Sequence, residues 1–287
     1  MSGWPDDYRL AFTLASPVER RGVGLHGGET CRVRLAPSDR PGYHVGWLDA
    51  PHLPLRQLGP AQVCDTRLCT TLRLGDRRLA TVEHLLAALA GTGVSQAEIH
   101  VEGGEVPLLD GSALPWVEAI GEAGLRPVGE RQAPRVPDGP LTVSRGASFA
   151  VVLPAEEFSV AAAVEYPQPA IGAQFVSLRL TPGRFVAEIA PARTFGFREQ
   201  VDQLRAAGLI RGGALDNALV CDGDRWLNPP LRFDDEPVRH KLLDLLGDLA
   251  LVGFPRAQVF VYRGSHGLHT ELAAALVTAA RLPVLSA

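Results

Sequence analysis

The sequence predicts an α+β protein built from two similar halves. Stretches in which apolar and polar residues alternate come first in each half, and helical stretches follow them, so strands precede helices twice. Residues 125–140 between the halves are rich in proline, which favours a connecting segment. We therefore assign residues 1–127 to an N-terminal α+β domain, 128–140 to a linker and 141–287 to a C-terminal α+β domain.

Composition excludes several classes of protein. Apolar residues make up 46% and charged residues 21% of the 287, which is typical of a globular chain with a large core. The net charge of -4 gives no reason to expect a nucleic-acid partner. No apolar run reaches the roughly 18 residues that span a bilayer, and the acidic first eight residues lack the apolar core of a signal peptide. The four cysteines show no C-x-x-C spacing. We expect a cytoplasmic monomer with reduced thiols.

The first half begins with strands. Residues 9–36 carry strand signals, and apolar and polar residues alternate from 30 to 35. Residues 22–28 form a glycine-rich turn without a Walker lysine, in which His26 either contacts a substrate or only completes the turn. Residues 37–63 predict a partly irregular insertion.

The remaining elements follow from the same patterns. In the first half we predict a strand at 65–73, a helix at 81–90 capped by Thr81, a strand at 97–102, a turn at 105–112 and a helix at 114–123. In the second half we predict strands at 141–145, 149–153, 159–164, 175–180, 185–189 and 257–262, a helix at 197–207, a tight loop at 264–267 and a helix at 268–282.

The stretch 232–252 predicts a helix buried on nearly all sides, because most of its residues are apolar. Asp234 or Asp235 would cap it, Glu236 would favour the positive N-terminal end of the helix dipole, and Pro237 fits the first turn.

One narrow polar stripe runs along this helix. His240, Asp244 and Asp248 stand one helical turn apart, with Gly247 leaving room beside them. A buried carboxylate without a partner is very unfavourable, so two in a row require cations, donors or a metal. The alternative is that the stripe is simply the solvated face of the helix.

A second helix supplies the residues that would complete a metal site. Glu83 and His84 lie in the first turn of the helix at 81–90, where a solvated first turn is the simpler interpretation. Combined with His240 and Asp244, however, His84 gives two imidazoles and one carboxylate, a common catalytic zinc set with a fourth position open to water. Glu83 would then accept a proton from that water.

Lys241 is the only lysine in a chain that otherwise uses arginine for its basic residues. A lysine is a compact point charge that a guanidinium does not imitate, so a specific role beside His240 is one interpretation and chance is the other.

Three runs carry a resemblance to a known family. They are Thr-Val-Glu-His at 81–84, Ala-Arg-Thr-Phe-Gly-Phe at 192–197 and Val-Arg-His-Lys-x-x-Asp-x-x-Gly-Asp at 238–248. Together with matching stretches at 22–26, 65–70 and 105–112, the chain resembles the UDP-3-O-acyl-N-acetylglucosamine deacetylase family over essentially its whole length. The resemblance implies two similar domains, each a β-sheet with a helix pair, in which the helices are sandwiched between the two sheets.

The resemblance also implies an activity and its machinery. It implies zinc-dependent hydrolysis of the N-acetyl group of UDP-3-O-acyl-N-acetylglucosamine to acetate and UDP-3-O-acyl-glucosamine, the committed step of lipid A synthesis. Iron(II) is the alternative metal. The implied metal ligands are His84, His240 and Asp244. The implied catalytic residues are Glu83 as the base, His266 as the acid, Asp248 to orient it, Thr194 for the oxyanion and Lys241 near the substrate.

The implied substrate contacts lie in several places. Phe195, Val201 and Ile210 would line the site and the acyl passage, Arg263 would face the nucleotide diphosphate, and Leu68 and Cys69 fall in the matching stretch at 65–70. The chain departs from the family pattern at Ser265 and His269 around the acid, and in the insertion at 42–60.

Two alternatives remain at this point. Two histidines and one carboxylate also form the facial triad of non-haem iron oxygenases. A non-catalytic relative that only binds a nucleotide sugar is the other alternative. The base Glu83 together with the acid His266 argues against both.

Overall fold

The chain folds into two sheet-rich halves whose helices meet between them. The computed structural model describes residues 3–134, 136 and 139–281. In chain order the strands are β1 Leu10–Leu14, β2 Val18–Val23, β3 Thr30–Ala36, β4 Gly42–Trp47, β5 Arg56–Gln57, β6 Val63–Asp65, β7 Thr71–Leu74, β8 Arg77–Leu79, β9 Gln96–Glu102, β10 Leu125–Glu130, β11 Leu141–Arg145, β12 Ser148–Pro154, β13 Ser159–Glu165, β14 Ala173–Arg179, β15 Phe195–Phe197, β16 Leu219–Asp222, β17 Arg225–Trp226 and β18 Ala257–Tyr262.

The helices are fewer than the strands. They are α1 Glu83–Gly91, α2 Leu114–Ala123, α3 Pro182–Arg184, α4 Arg198–Ala206, α5 Glu236–Leu249 and α6 His266–Arg281, with a 3-10 turn at Pro60–Gln62 and a π-helical turn at Phe185–Ile189. Within the described part of the chain, no helix combines the length and apolar character needed to cross a bilayer.

The two large sheets repeat one topology. The first has strand order β2-β3-β9-β4-β5 and the second β11-β12-β18-β13-β14. In each sheet every neighbouring pair is antiparallel except one, β4 with β9 and β13 with β18. Each half also has a small three-stranded sheet, β6-β7-β8 and β15-β16-β17. This repetition confirms the predicted α+β class with two similar halves, although the sequence itself shows no close repeat.

Helices α1 and α5 pack against each other at the centre, α2 lies against β2, and α5 and α6 lie against the second sheet. Gly247 of α5 makes the closest approach, because a Cβ atom there would overlap the backbone oxygen of Glu83 in α1. The buried leucines of both helices belong to one core that extends into both sheets. Polar residues on these two helices therefore face each other inside the protein.

Most predicted elements are found to within two residues at either end, but several predictions were wrong. Residues 37–63 are partly irregular as predicted, but they also contain β4, a mostly buried strand inside the first sheet that the sequence patterns did not predict. The strand predicted at 65–73 is broken, because residues 66–70 leave the ladder between β6 and β7. Residues 185–189 form a π-helical turn instead of a strand. The loop predicted at 264–267 is shorter, because α6 already begins at His266.

Neither predicted helix cap forms a side-chain hydrogen bond to its helix start, although Asp235 does occupy the N-cap position of α5. Thr81 has a positive φ of 58° and donates its hydroxyl to Glu105 at 2.9 Å instead of capping α1. Asp235 precedes α5, but its carboxylate accepts from Arg239 at 2.6 Å. Each side chain instead bonds to another side chain, Glu105 for Thr81 and Arg239 for Asp235. Cap preferences of single residues do not predict such competing contacts.

The proposed linker begins within a strand. Residues 128–130 complete β10, which pairs with β1 near the start of the chain. Pro137 lies outside the described residues. The division into domains at 1–127 and 141–287 stays a prediction.

Candidate active site

The contact between α1 and α5 brings His84, His240 and Asp244 together. The Nε2 atom of His84 lies 3.7 Å from Asp244 Oδ1, and that of His240 lies 3.3 Å from the same oxygen. All three side chains are buried, because α1 and α5 approach at Gly247 and are covered by both sheets. The three predicted ligands thus converge on one point.

Hydrogen bonds outside this cluster leave its inward-facing atoms free. His240 Nδ1 lies 3.0 Å from the backbone oxygen of Ala192, so Nδ1 carries the proton and Nε2 offers a lone pair. Asp244 Oδ2 accepts from Lys241 Nζ at 2.9 Å, whereas Asp244 Oδ1 is buried and finds no donor among the described residues. A buried carboxylate oxygen without a partner is unfavourable, and two imidazole nitrogens beside it complete a donor set that fits zinc.

The protonation states agree with a metal site. Burial lowers the pKa of His84 to about 3 and also lowers the pKa of His240, so both rings are neutral. Burial alone would raise the pKa of Asp244, but the positive charge of Lys241 leads the effects that outweigh burial, and the pKa is lowered. Neutral imidazole and ionised carboxylate are the forms that bind metals.

A second cluster of the same composition lies one turn further along α5. Asp248 is fully buried, and its Oδ2 atom lies 3.0 Å from Nδ1 of both His266 and His269. Its other oxygen accepts from the hydroxyl of Thr70. Every oxygen of this carboxylate therefore has a donor.

This surrounding makes His266 a proton carrier. Burial would lower its pKa, but the carboxylates of Asp248 and Glu83 outweigh burial and raise the pKa of His266 to about 10. His269 differs, because it is fully buried and burial lowers its pKa despite the same carboxylate. His266 also points its Nε2 atom towards Glu83 Oε1 at 3.7 Å. The geometry therefore favours His266 over His269 as the acid.

Glu83 is held on one side only. Its Oε2 atom accepts the backbone N–H of Thr70 at 3.1 Å, which leaves Oε1 facing His266. Burial raises the pKa of Glu83 well above its usual range, opposed by the charge of His266. Among the protein groups, burial therefore has the largest effect on the pKa of Glu83.

An apolar passage opens beside this centre. A cavity of about 550 Å³ is lined by Leu68, Phe195, Val201 and Ile210, with Thr194 at the same wall. The ring centroid of Phe195 lies 6.4 Å from that of His240, so one wall of the passage adjoins the metal cluster. Cys69 lies apart from this passage and lines a neighbouring cavity that shares Leu68 and His26 with it.

Arg263 occupies a different pocket. A cavity of about 300 Å³ is lined by Arg263, Tyr166, Glu165 and Ser148. The ring of Tyr166 contacts Phe195 at 5.7 Å between centroids, so this pocket adjoins the same centre from another side. The structure therefore brings nearly all predicted site residues around Phe195 and the two clusters.

The two departures around the acid have local explanations. Ser265 accepts the backbone N–H of Leu268 at 3.3 Å and so caps α6 at its first residue, His266. His269 shares Asp248 with His266 and lies 6.3 Å from it between ring centroids.

Sequence reasoning missed Thr70, which contacts both Glu83 and Asp248. No local signal marks it, because Asp248 lies 178 residues further along the chain.

A two-histidine, one-carboxylate donor set beside a buried carboxylate and a protonated imidazole is typical of metal-dependent hydrolases. Residues 11–278 match the sequence model of one such family. The chain therefore belongs to the UDP-3-O-acyl N-acetylglycosamine deacetylase (LpxC) family.

Relatives agree with this assignment. The chain is 47% identical to the UDP-3-O-acyl-N-acetylglucosamine deacetylase of Trichormus variabilis over 91% of its length and 96% of the relative's. It is 47% identical to the same-named protein of Thermosynechococcus vestitus over 92% and 93%. It is 40% identical to a probable mitochondrial UDP-3-O-acyl-N-acetylglucosamine deacetylase of Arabidopsis thaliana over 92% and 87%.

Proposed function

We propose that this chain removes the N-acetyl group of UDP-3-O-acyl-N-acetylglucosamine by hydrolysis, giving acetate and UDP-3-O-acyl-glucosamine in lipid A synthesis. The observation that carries the proposal is the meeting of two clusters on α5, one able to bind a metal and one able to deliver a proton, in a member of this family. The relatives' names give the substrate and the reaction.

His84, His240 and Asp244 would hold the metal, for which zinc fits the donor set best and iron(II) is the alternative. When bound, such an ion lowers the pKa of a water to about 7 and polarises the acetyl carbonyl. Lys241 keeps Asp244 ionised and oriented through its 2.9 Å bond to Oδ2, in addition to the substrate contact proposed from the resemblance.

Two protein groups would move the protons. Glu83 Oε1 accepts a proton from the attacking water, while Thr70 fixes the other oxygen. The water oxygen bonds to the acetyl carbon, and Thr194 helps stabilise the charge that develops on the carbonyl oxygen. His266 Nε2 then donates its proton to the nitrogen as the carbon–nitrogen bond breaks, since an amine anion is a very poor leaving group. Asp248 keeps His266 protonated until that step.

The substrate would occupy both cavities around Phe195. The acyl chain fits the apolar passage beside Val201 and Ile210, with Leu68 at its wall. Arg263 supplies a positive charge for the diphosphate, in a pocket where Tyr166 offers an aromatic face. We assign Cys69 to the wall of the cavity next to the passage, near the acyl chain.

We also propose a cytoplasmic monomer without a nucleic-acid partner, with the domains at 1–127 and 141–287 joined by residues 128–140.

The experiment that tests the function is mass spectrometry of UDP-3-O-acyl-N-acetylglucosamine incubated with the protein, with and without a chelator. We expect loss of one acetyl group without the chelator and no change with it. Oxygen uptake in the same mixture would instead indicate the facial-triad oxygenase. Binding without any chemical change would indicate a non-catalytic nucleotide-sugar-binding relative.

A further inference from the structure

The first residue of α5 is a buried carboxylate that the proposed reaction does not use. Glu236 is 0% exposed and lies one helical turn before His240. Its Oε1 atom accepts the backbone N–H and the Nε–H of Arg193, both at 2.9 Å. Its Oε2 atom accepts the backbone N–H of Arg232 at 2.6 Å and a second guanidinium N–H of Arg193 at 3.2 Å.

One of these bonds reaches the metal cluster through a single peptide group. The N–H of Arg193 and the C=O of Ala192 belong to the same peptide unit. Glu236 accepts from its N–H end, and its C=O end accepts from His240 Nδ1 at 3.0 Å. A negative charge at the N–H end polarises the amide and makes its oxygen a stronger acceptor, because hydrogen bonds in a chain reinforce one another.

The group bonded to Nδ1 of a metal-binding histidine sets the orientation and basicity of the ring. We propose that Glu236 is a positioning residue for His240, acting through the Ala192–Arg193 peptide, and that it makes His240 Nε2 a better metal ligand. The proposal rests on the proposed metal site. Thr194 follows Arg193 directly, so the same carboxylate also fixes the backbone of the residue assigned to the oxyanion.

The alternative is that Glu236 and Arg193 form an ordinary ion pair, which would stabilise the fold without affecting metal binding. A neighbouring carboxylate, Asp110, serves as the control for that alternative. Asp110 accepts from Arg232 at 2.9 Å and from Ser112, so it ties the same loops together across the two halves. Among the described residues it makes no hydrogen bond to the Ala192–Arg193 peptide, and only its longer-range charge acts on the metal cluster, at His84. Asp110→Asn therefore removes a loop contact of similar kind without touching the path to His240.

The test is zinc affinity measured by chelator competition, with thermal unfolding of the metal-free proteins recorded in parallel. Glu236→Gln removes the charge and keeps the size, and we expect it to weaken zinc binding roughly 10- to 100-fold. Glu236→Asp keeps the charge and should recover a large part of that loss. Asp110→Asn should lower the unfolding temperature but weaken zinc binding much less than Glu236→Gln does, since it leaves the hydrogen bonds from Glu236 through the peptide to His240 in place.

Unchanged zinc affinity in Glu236→Gln, or an equal loss in Asp110→Asn, would overturn the proposal. If Glu236→Gln does not fold, the parent protein decides by nuclear magnetic resonance of the metal-loaded state. We expect slowly exchanging, downfield signals from the Arg193 amide and the His240 Nδ1–H, and the absence of either signal contradicts the proposal.

Failure of this proposal and failure of the proposed function look different. A parent that binds zinc and deacetylates, with unchanged affinity in Glu236→Gln, contradicts only the positioning role. A parent that binds zinc less tightly after Glu236→Gln but never deacetylates contradicts only the function. A parent that binds no divalent metal contradicts both.

Discussion

Helix α5 presents two aspartates one turn apart, and each meets two histidines, but the two clusters hold different numbers of protons. Around Asp244 the inward atoms are two imidazole lone pairs and a carboxylate oxygen that finds no donor in the described part of the chain. Around Asp248 both imidazoles and a threonine donate to the carboxylate. The composition is the same, and the hydrogen bonds differ.

This difference arises from the second contact of each ring. His240 uses its Nδ1–H on the backbone of Ala192 and so turns a lone pair towards Asp244. His266 uses Nδ1 on Asp248 itself. A cluster of acceptors requires a cation, whereas a cluster with donors in place can keep a proton. Residue type alone therefore does not separate a metal site from an acid site.

The largest effect is expected at the metal cluster and its base. Glu83→Ala should keep the metal and lose about four orders of magnitude in kcat, because it removes the proton acceptor and no ligand. His84→Ala should instead lose the metal. Metal content and kcat measured on both proteins check this, and an empty site in Glu83→Ala beside a loaded one in His84→Ala would reverse the assignment.

At the second cluster the two histidines should behave differently. His266→Ala should lower kcat by about 10²- to 10³-fold with the metal retained, because the leaving amine loses its proton donor. His269→Asn is the matched control, since the Asn side chain still offers a donor to Asp248. It should change kcat by less than about tenfold. A larger loss in His269→Asn than in His266→Ala would make His269 the acid.

The acyl passage should contribute through apolar contact. Each methylene buried beside Val201 and Ile210 is worth about 0.8 kcal/mol, which is about fourfold in kcat/KM. Substrates with stepwise shorter acyl chains should therefore lose specificity steadily. An unchanged kcat/KM for a substrate without its acyl chain would show that the passage does not bind the acyl chain.

The smallest effect is a shift in pH dependence. The raised pKa of His266 favours its protonated form in the folded protein, so the acid remains active above the ordinary value of about 6.5 and is lost as the pH rises through the folded pKa. Asp248→Asn removes the charge that raises this pKa and should move the alkaline limb of kcat/KM down by about one to two pH units. A limb that follows His269→Asn and ignores Asp248→Asn would contradict this.

Much of the fold and of the site could be predicted from the sequence, because the signals are local. Runs of leucine and alanine predicted α1 and α5, and the four-residue spacing predicted that His240, Asp244 and Asp248 share a face. Strand alternation predicted both outer sheets in part. The strand β4 escaped because nearly all of its residues are buried, so apolar and polar residues do not alternate.

The contacts between distant segments could not be predicted in the same way. Thr70 meets Asp248, and Glu236 meets Arg193, across separations that no periodicity encodes. The sequence suggested only that Glu236 favours the start of a helix. In the structure Glu236 is buried and accepts the backbone N–H groups of Arg193 and Arg232. Which proton each cluster holds depends on such contacts.

The comparison of the two clusters is tested most directly by the metal content of Asp244→Asn and Asp248→Asn, purified side by side and measured by elemental analysis. Each substitution removes one charge from one of two buried aspartates on the same helix. We expect Asp248→Asn to retain about one divalent ion per chain, as in the parent, and Asp244→Asn to lose it. Loss of the metal from Asp248→Asn with retention in Asp244→Asn would contradict this expectation.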